Sequence, residues 1–257
     1  MGHLMAPLTL IQTADMHGKL TMDIAGRLRD LKLRHSALLL DCGDALHAPN
    51  YLPSPVIHPA RISPVAAAMN AAGYDAMAMG NREYGWRRST INAKLAGLQF
   101  PVLSANIVLP DSNTVRPTLT LQAGDSTVGI FALTPDMAPT GSLAQRTSDI
   151  QFIDPEQAAR SAIADLRTPA EGATQPAVII ALMHWGVETG PQGDQARLIE
   201  ALPDLDIVLA GHAHVAAGAL DTIGPTTISR CASHAREAAI LRLDTDGTWH
   251  QELVKLT

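Results

Sequence analysis

Five times in this chain a short apolar run, the length of a β-strand, gives way within a few residues to a residue type that binds metals. Leu8–Thr13 leads into Asp15-Met16-His17, Ala37–Leu40 into Gly43-Asp44, and Asp75–Met79 into Gly80-Asn81-Arg82-Glu83. Ala177–Met183 runs into His184, and Ile207–Ala210 into Gly211-His212-Ala213-His214. Continuous apolar runs of this kind are what strands covered on both faces look like. Open α/β sheets place their ligands at the carboxyl ends of such strands. Each element is weak alone, because an Asp after a strand is an ordinary turn former. The His212–His214 pair is stronger, since alternate residues of an extended segment point to one side.

Helical spacing fills the gaps between the runs. Met22–His35 carries Ile24, Leu28 and Leu31 on one face, and Asp154–Leu166 and Gly193–Leu202 have similar periodicity. Ser63–Ala72 reads as a helix capped by Ser63, with Pro64 at its first position. Pro49 to Pro64 holds five prolines and reads as loop. Further apolar runs lie at Pro101–Ser104 and Val128–Leu133. Near the end, Thr226–Arg230, Ala238–Leu243 and Thr248–Leu256 read as consecutive strands, with a hairpin turn at Thr245-Asp246-Gly247. Alternating strands and helices followed by strands predict an α/β (α+β) layered sandwich with mixed sheets. No repeat or compositional shift marks a linker, so residues 1–257 are expected to form one domain.

The composition narrows the function. Apolar residues make up 46% of the 257 and charged residues 17%, enough for a large core. The net charge of −6 and the lack of a basic stripe argue against a nuclease or any stable nucleic-acid complex. The longest strongly apolar run, Ala177–Met183, is far too short to span a membrane. The N-terminus shows no secretory pattern, and the second methionine at position 5 makes residues 1–4 an expected expression scar. The expectation is a cytoplasmic chain, although a leader removed beforehand would leave no trace. Cys42 and Cys231 are the two cysteines, which rules out a disulfide framework.

Together the five elements supply two Asp, one Asn and four His. Oxygen and imidazole donors without a thiolate suit Mn²⁺, Fe, Co²⁺ or Zn²⁺. Seven donors exceed one tetrahedral site and match two cations sharing a carboxylate. In order, D-x-H, G-D, G-N-x-E, H and G-H-x-H resemble the motifs of the calcineurin-like metallophosphoesterases, over Asp15 to His214. Met69-Asn70-Ala71-Ala72-Gly73-Tyr74-Asp75, Ser104-Ala105-Asn106 and Met183-His184-Trp185-Gly186 resemble the 5′-nucleotidase branch. The resemblance implies a four-layer αββα sandwich of two mixed β-sheets flanked by helices. It also implies that Asp15, His17, Asp44 and His214 hold one metal. Asp44, Asn81, His184 and His212 would hold the other, with Asp44 bridging and Mn²⁺ the leading candidate. Two such cations make a bridging water acidic, and the resulting hydroxide attacks phosphorus in line. The expected substrate is a small, nucleotide-like phosphorylated molecule, with catalysis resting on Asp44, Asn81 and Arg82.

Two departures bear on the substrate. The family usually has histidine where this chain has Arg82. Arginine grips phosphoryl oxygens with a planar fork but does not give up its proton. UDP-2,3-diacylglucosamine hydrolases of the same superfamily share this exchange, in a G-N-R-D motif, and split a pyrophosphate. The expectation is a preference for good leaving groups: phosphoanhydrides, aryl phosphates and activated diesters over alkyl monoesters. The alternative is a catalytically weakened metal- and nucleotide-binding module. The chain also ends at Thr257, soon after His214, so the base-gripping C-terminal domain of secreted 5′-nucleotidases is expected to be absent. Tyr84, Trp86 and Trp185 then become candidates to stack on a base, alongside Arg82 and Asn81, although packing against the sheet accounts for each aromatic at least as well. Arg87 and Arg88 could add charge at the mouth, with a solvated helix start the simpler reading. Asp41 is a candidate to orient a ligating histidine. His47 and His58 are candidate proton donors, with ordinary loop histidines the simpler reading. His3, His35 and His250 are given no site role. His234 falls in a turn where the resembled family prefers small residues, and is left unassigned.

Overall fold

The computed structural model describes residues 7–46, 63–84, 88–109, 114–136, 149–185, 194–214 and 216–257. Two mixed sheets carry the architecture. The first contains β1 (Leu8–Thr13), β2 (Leu38–Asp41), β3 (Ala76–Ala78), β4 (Val102–Leu103), β6 (Val115–Arg116), β14 (Glu237–Leu243) and β15 (Trp249–Lys255), in the order β15-β14-β1-β2-β3-β4-β6. From β1 to β6 neighbouring strands are parallel; β14 runs antiparallel to both β1 and β15. The second contains β7 (Thr118–Ala123), β8 (Ser126–Leu133), β10 (Val178–Met183), β11 (Ile207–Ala210), β12 (Asp221–Ile223) and β13 (Thr226–Arg230), in the order β12-β13-β11-β10-β8-β7. Its four central strands are parallel and both edge strands antiparallel. A small ladder pairs β5 (Ile107–Val108) with β9 (Gln151–Phe152).

Side-chain alternation along the strands sorts the core into three layers. Ile11, Leu39, Met77 and Ile240 point outward from the first sheet, against α1 (Met22–His35) and α2 (Pro64–Ala72). Leu10, Leu40, Ala76 and Leu241 point inward, meeting Val128, Ile130, Ile180, Leu182 and Leu209 of the second sheet. On the far side Phe131, Leu133, Ile179 and Val208 pack under α5 (Pro155–Arg167) and α6 (Asp194–Glu200). This is the expected four-layer sandwich of two mixed sheets flanked by helices.

One short helix was not expected, α3 (Asn81–Tyr84), while α4 (Arg88–Leu95) starts at Arg88, as the simpler reading of that residue had it. Nor were the edge strands β7 and β12. The Pro-rich segment up to residue 62, with His47 before it and His58 within it, lies outside the described residues, as do Trp86 and Arg87.

Candidate metal centre

Each parallel strand releases its chain at the same edge, and bonds between neighbouring loops hold the released residues in place. Asp15 N donates to Gly43 O (3.0 Å) and His17 N to Asp44 O (2.9 Å), so the loops after β1 and β2 lie side by side. Gly211 N donates to Met183 O (2.9 Å), setting the His212 loop beside His184. Asp15 Oδ2 accepts from His212 N (2.8 Å), which ties the loops of the two sheets together.

Glu83 knits the third loop in. Its buried carboxylate accepts from Asp44 N and Gly80 N (2.8 Å each) and from Leu46 N (3.0 Å). Two glycines permit this closeness. A Cβ on Gly80 would collide with the Asp44 backbone nitrogen and carboxylate. One on Gly43, itself at φ +96°, would press on Gly80 and the His184 ring at 2.9 Å.

Five of the seven candidate ligands occupy left-handed backbone: Asp15 (φ 51°), His17 (45°), Asp44 (57°), His212 (75°) and His214 (49°). Such residues cost about 1–3 kcal/mol each and persist only where their surroundings enforce them.

The donors fall into two adjoining clusters. In the first, His17 Nε2 and His214 Nε2 are 2.8 Å apart, and Asp15 Oδ1 lies 3.3 Å from His214 Nε2 and 3.9 Å from His17 Nε2. In the second, His184 Nε2 lies 3.1 Å from Asn81 Oδ1, 3.3 Å from Asp44 Oδ1 and 3.3 Å from His212 Nδ1. Asp15, Asp44 and His184 each have a donor atom within 4.8 Å of the others, which joins the clusters.

Ligands at about 2.1 Å from one cation sit roughly 3 Å from each other, which is the spacing seen here. Asp15 Oδ1 is buried and accepts no hydrogen bond, as an oxygen kept for a cation would be. The donor set therefore fits divalent ions. His184 Nδ1 is engaged by the Cys42 carbonyl (2.7 Å), the kind of partner that fixes the tautomer of a ligating imidazole.

In the metal-free protein the charges compensate one another. Burial pushes the Asp44 carboxyl up, but the charge and contact of His184 and the Arg82 N–H outweigh it, holding it at about 2. Burial pulls His184 down, but Asp44 outweighs that and holds it at about 9. His214 is raised by its contact with Asp15. His17 and His212 are drawn below the usual imidazole range, chiefly by burial.

Several expectations need correction. Tyr84 is 1% exposed, its hydroxyl donates to Pro135 O (2.6 Å), and its ring meets Phe152 edge-on; it packs in the core rather than facing a substrate. Among the described residues, Asp41 bonds to no histidine. It accepts from Thr13 Oγ1 (2.6 Å) and Gly43 N (2.8 Å) instead. His234, left unassigned, comes within reach of the first cluster. The signal for it in the sequence was one histidine in a turn. Trp185 is half-buried against the core beneath α5 and α6. Arg82 lies beside Asp44: its N donates to Asp44 Oδ1 (2.7 Å), and its Nε stands 3.9 Å from Asp44 Oδ2 with the side chain 32% exposed.

No protein-family model matches the chain. It is 26% identical over 245 residues to the trifunctional nucleotide phosphoesterase protein YfkN of Bacillus subtilis, covering 80% of this chain and 16% of that protein. It is 32% identical over 157 residues to the 5′-nucleotidase of Bos taurus, covering 58% of this chain and 25% of that protein. The chain thus spans a quarter or less of the length of either relative. Among solved structures, the calcineurin-like phosphoesterase YfkN from Bacillus subtilis superposes with a TM-score of 0.75 at 20% identity, covering 98% of this chain and 91% of that one. Among the described residues, no helix is long and apolar enough to cross a membrane.

Proposed function

On the premise that a chain with these relatives and this fold is a calcineurin-like metallophosphoesterase of the 5′-nucleotidase-like branch, we propose that it is a dinuclear metal-dependent phosphohydrolase acting on a small nucleotide-like substrate. We read residues 1–257 as one catalytic unit, because strands from both ends of the chain share the central core. The observation that carries the proposal is the convergence of donors from five strand-end loops into two clusters joined at Asp44. Asp15, His17, Asp44 and His214 would hold one cation, and Asp44, Asn81, His184 and His212 the other. Mn²⁺ is the metal proposed, and Fe, Zn²⁺ or Co²⁺ fit the same donors. When bound, such a pair neutralises phosphoryl charge and activates water near neutral pH.

Arg82 decides the leaving group. Its partly exposed guanidinium beside Asp44 offers fixed positive charge to a phosphoryl oxygen. It cannot supply a proton to a departing alkoxide. Asn81 starts α3 next to it, oriented toward His184, and among the described residues the half-buried Trp185 is the aromatic neighbour left to contact a base or aryl group. The substrates favoured are therefore phosphoanhydrides, aryl phosphates and activated diesters. A second reading, a metal- and nucleotide-binding module with little turnover, is favoured by the same exchange at Arg82.

The test is metal-stripped protein reloaded with Mn²⁺ and given bis-p-nitrophenyl phosphate, a pyrophosphate and AMP. We expect turnover of the diester, with Asp44→Asn and His184→Ala each lowering it at least about a hundredfold. We expect kcat/KM on the pyrophosphate or aryl diester to exceed that on AMP. Equal or greater efficiency on AMP would sink the leaving-group argument. Two bound metals with no turnover of any substrate would establish the second reading.

A further inference from the structure

His234 lies in the turn between β13 and β14, twenty residues beyond His214, and three observations set it apart from an ordinary turn histidine. First, ring nitrogens of His17, His214 and His234 all lie within 4.8 Å of one another. The His234 ring centroid is 5.0 Å from that of His17 and 5.3 Å from that of His214, at interplanar angles of 43° and 88°. Neither pair of rings is stacked face to face.

Second, the backbone is held where the ring requires it. His234 (φ 64°) and Ala235 (φ 57°) are consecutive left-handed residues without a glycine. That conformation costs roughly 1–2 kcal/mol per residue. The bond from His234 N to Asp15 O (2.8 Å) pins the turn to the loop of the candidate ligands Asp15 and His17.

Third, one ring nitrogen already has a hydrogen-bonding partner that can fix its tautomer. His234 Nδ1 lies 2.8 Å from Ser233 Oγ, which the Arg236 guanidinium also approaches at 3.3 Å. In the tautomer whose Nδ1–H donates to Ser233, the Nε2 lone pair is left for a cation.

We propose that His234 is an additional protein ligand of the first cation site, closing it with a third imidazole beside His17 and His214. The proposal rests on the dinuclear reading given above. The first site then offers three imidazoles with the carboxylates of Asp15 and Asp44. The second offers two imidazoles with the oxygens of Asp44 and Asn81.

Metal binding tests this without any substrate. Metal-stripped protein is titrated with Co²⁺ by calorimetry and followed by its visible absorption, which reports ligand number and type. The parent is expected to take up two Co²⁺. His234→Asn keeps a residue type that tolerates left-handed backbone, and His234→Ala removes every donor. Melting in EDTA checks that each variant retains the parental fold, and where one does not, the other carries the comparison. Partners that merely orient a ligand are worth roughly 10–100-fold in metal affinity, so loss of the ligand itself should weaken one Co²⁺ at least tenfold and alter its absorption bands. The other Co²⁺ should bind as in the parent. His17→Ala should weaken that same Co²⁺, and His250→Ala, on exposed β15, should change neither. Parental affinities and bands in the His234 variants would overturn the proposal, as would equal weakening of both Co²⁺ ions. A parent that binds no Co²⁺ would instead bring down the dinuclear reading, and this one with it.

Discussion

Asp41 and Asp44 stand three positions apart and meet opposite fates. Asp44 faces His184 and the Arg82 N–H and is held at about 2. Asp41 is fully enclosed beneath Thr13 and Tyr74, and burial pushes it up to about 8, although Thr13 and Gly43 each donate to it. Both look alike in sequence, because local spacing says nothing about what lies overhead. The consequence can be measured in the metal-free chain. Asp41 binds its proton more tightly folded than unfolded, so its contribution to stability is full below about pH 4. That contribution is lost as the pH rises toward about 8. Asp41→Asn carries no such penalty. The variant's stability relative to the parent should therefore climb between about pH 4 and 8, read from denaturant melts in EDTA at several pH values. A difference independent of pH would show that Asp41 is not held protonated. Glu83 makes the same point about legibility. The G-N-x-E pattern marked it, yet its role of gathering three backbone N–H groups is visible only once the loops have met.

Elements with a full period and a cap were readable. α1 begins after Thr21, whose side chain accepts from Ile24 N, and ends at the left-handed Ser36. α2 carries Ser63 and Pro64 as expected. α5 is capped by Asp154, which accepts from Gln157 N at 2.9 Å. Asp154→Ala should cost about 1 kcal/mol in chemical denaturation and leave Mn²⁺ uptake unchanged. A cost near zero would mean that packing of Ala159, Ile163 and Leu166 alone sets this helix. Elements below a period escaped notice. β5, β6 and β9 have two residues each, too few for any alternation to show, whereas β4, equally short, was marked by the Pro101–Ser104 run. β7 alternates, but its side chains are half-buried or exposed, so its sequence, TLTLQA, lacks the apolar run that marked its partner β8. α3 is a single turn whose residues serve the site.

At the scale of the whole molecule, the candidate site belongs to neither sheet alone. Asp15, Asp44 and Asn81 follow strands of the first sheet, and His184, His212 and His214 follow strands of the second. The contact between His184 and Asn81 crosses from one to the other. A cation bound there favours the closed sandwich over any opened form. Mn²⁺ at about a hundred times its Kd should add roughly 2.7 kcal/mol of stability, seen as a rise in Tm that EDTA reverses. An unchanged Tm would mean that no cation binds the folded state. The continuous apolar runs of the strands and the polar residues at their ends are local properties, so the sequence by itself determined the layered α/β architecture and the seven residues nominated as ligands. Tertiary structure alone decided which neighbours they have. It put Tyr84 in the core, turned Asp41 away from the histidines and carried His234 into the first cluster. Those outcomes depend on pairing between segments distant in the chain, such as Asp15 with His234, and no local period encodes that distance.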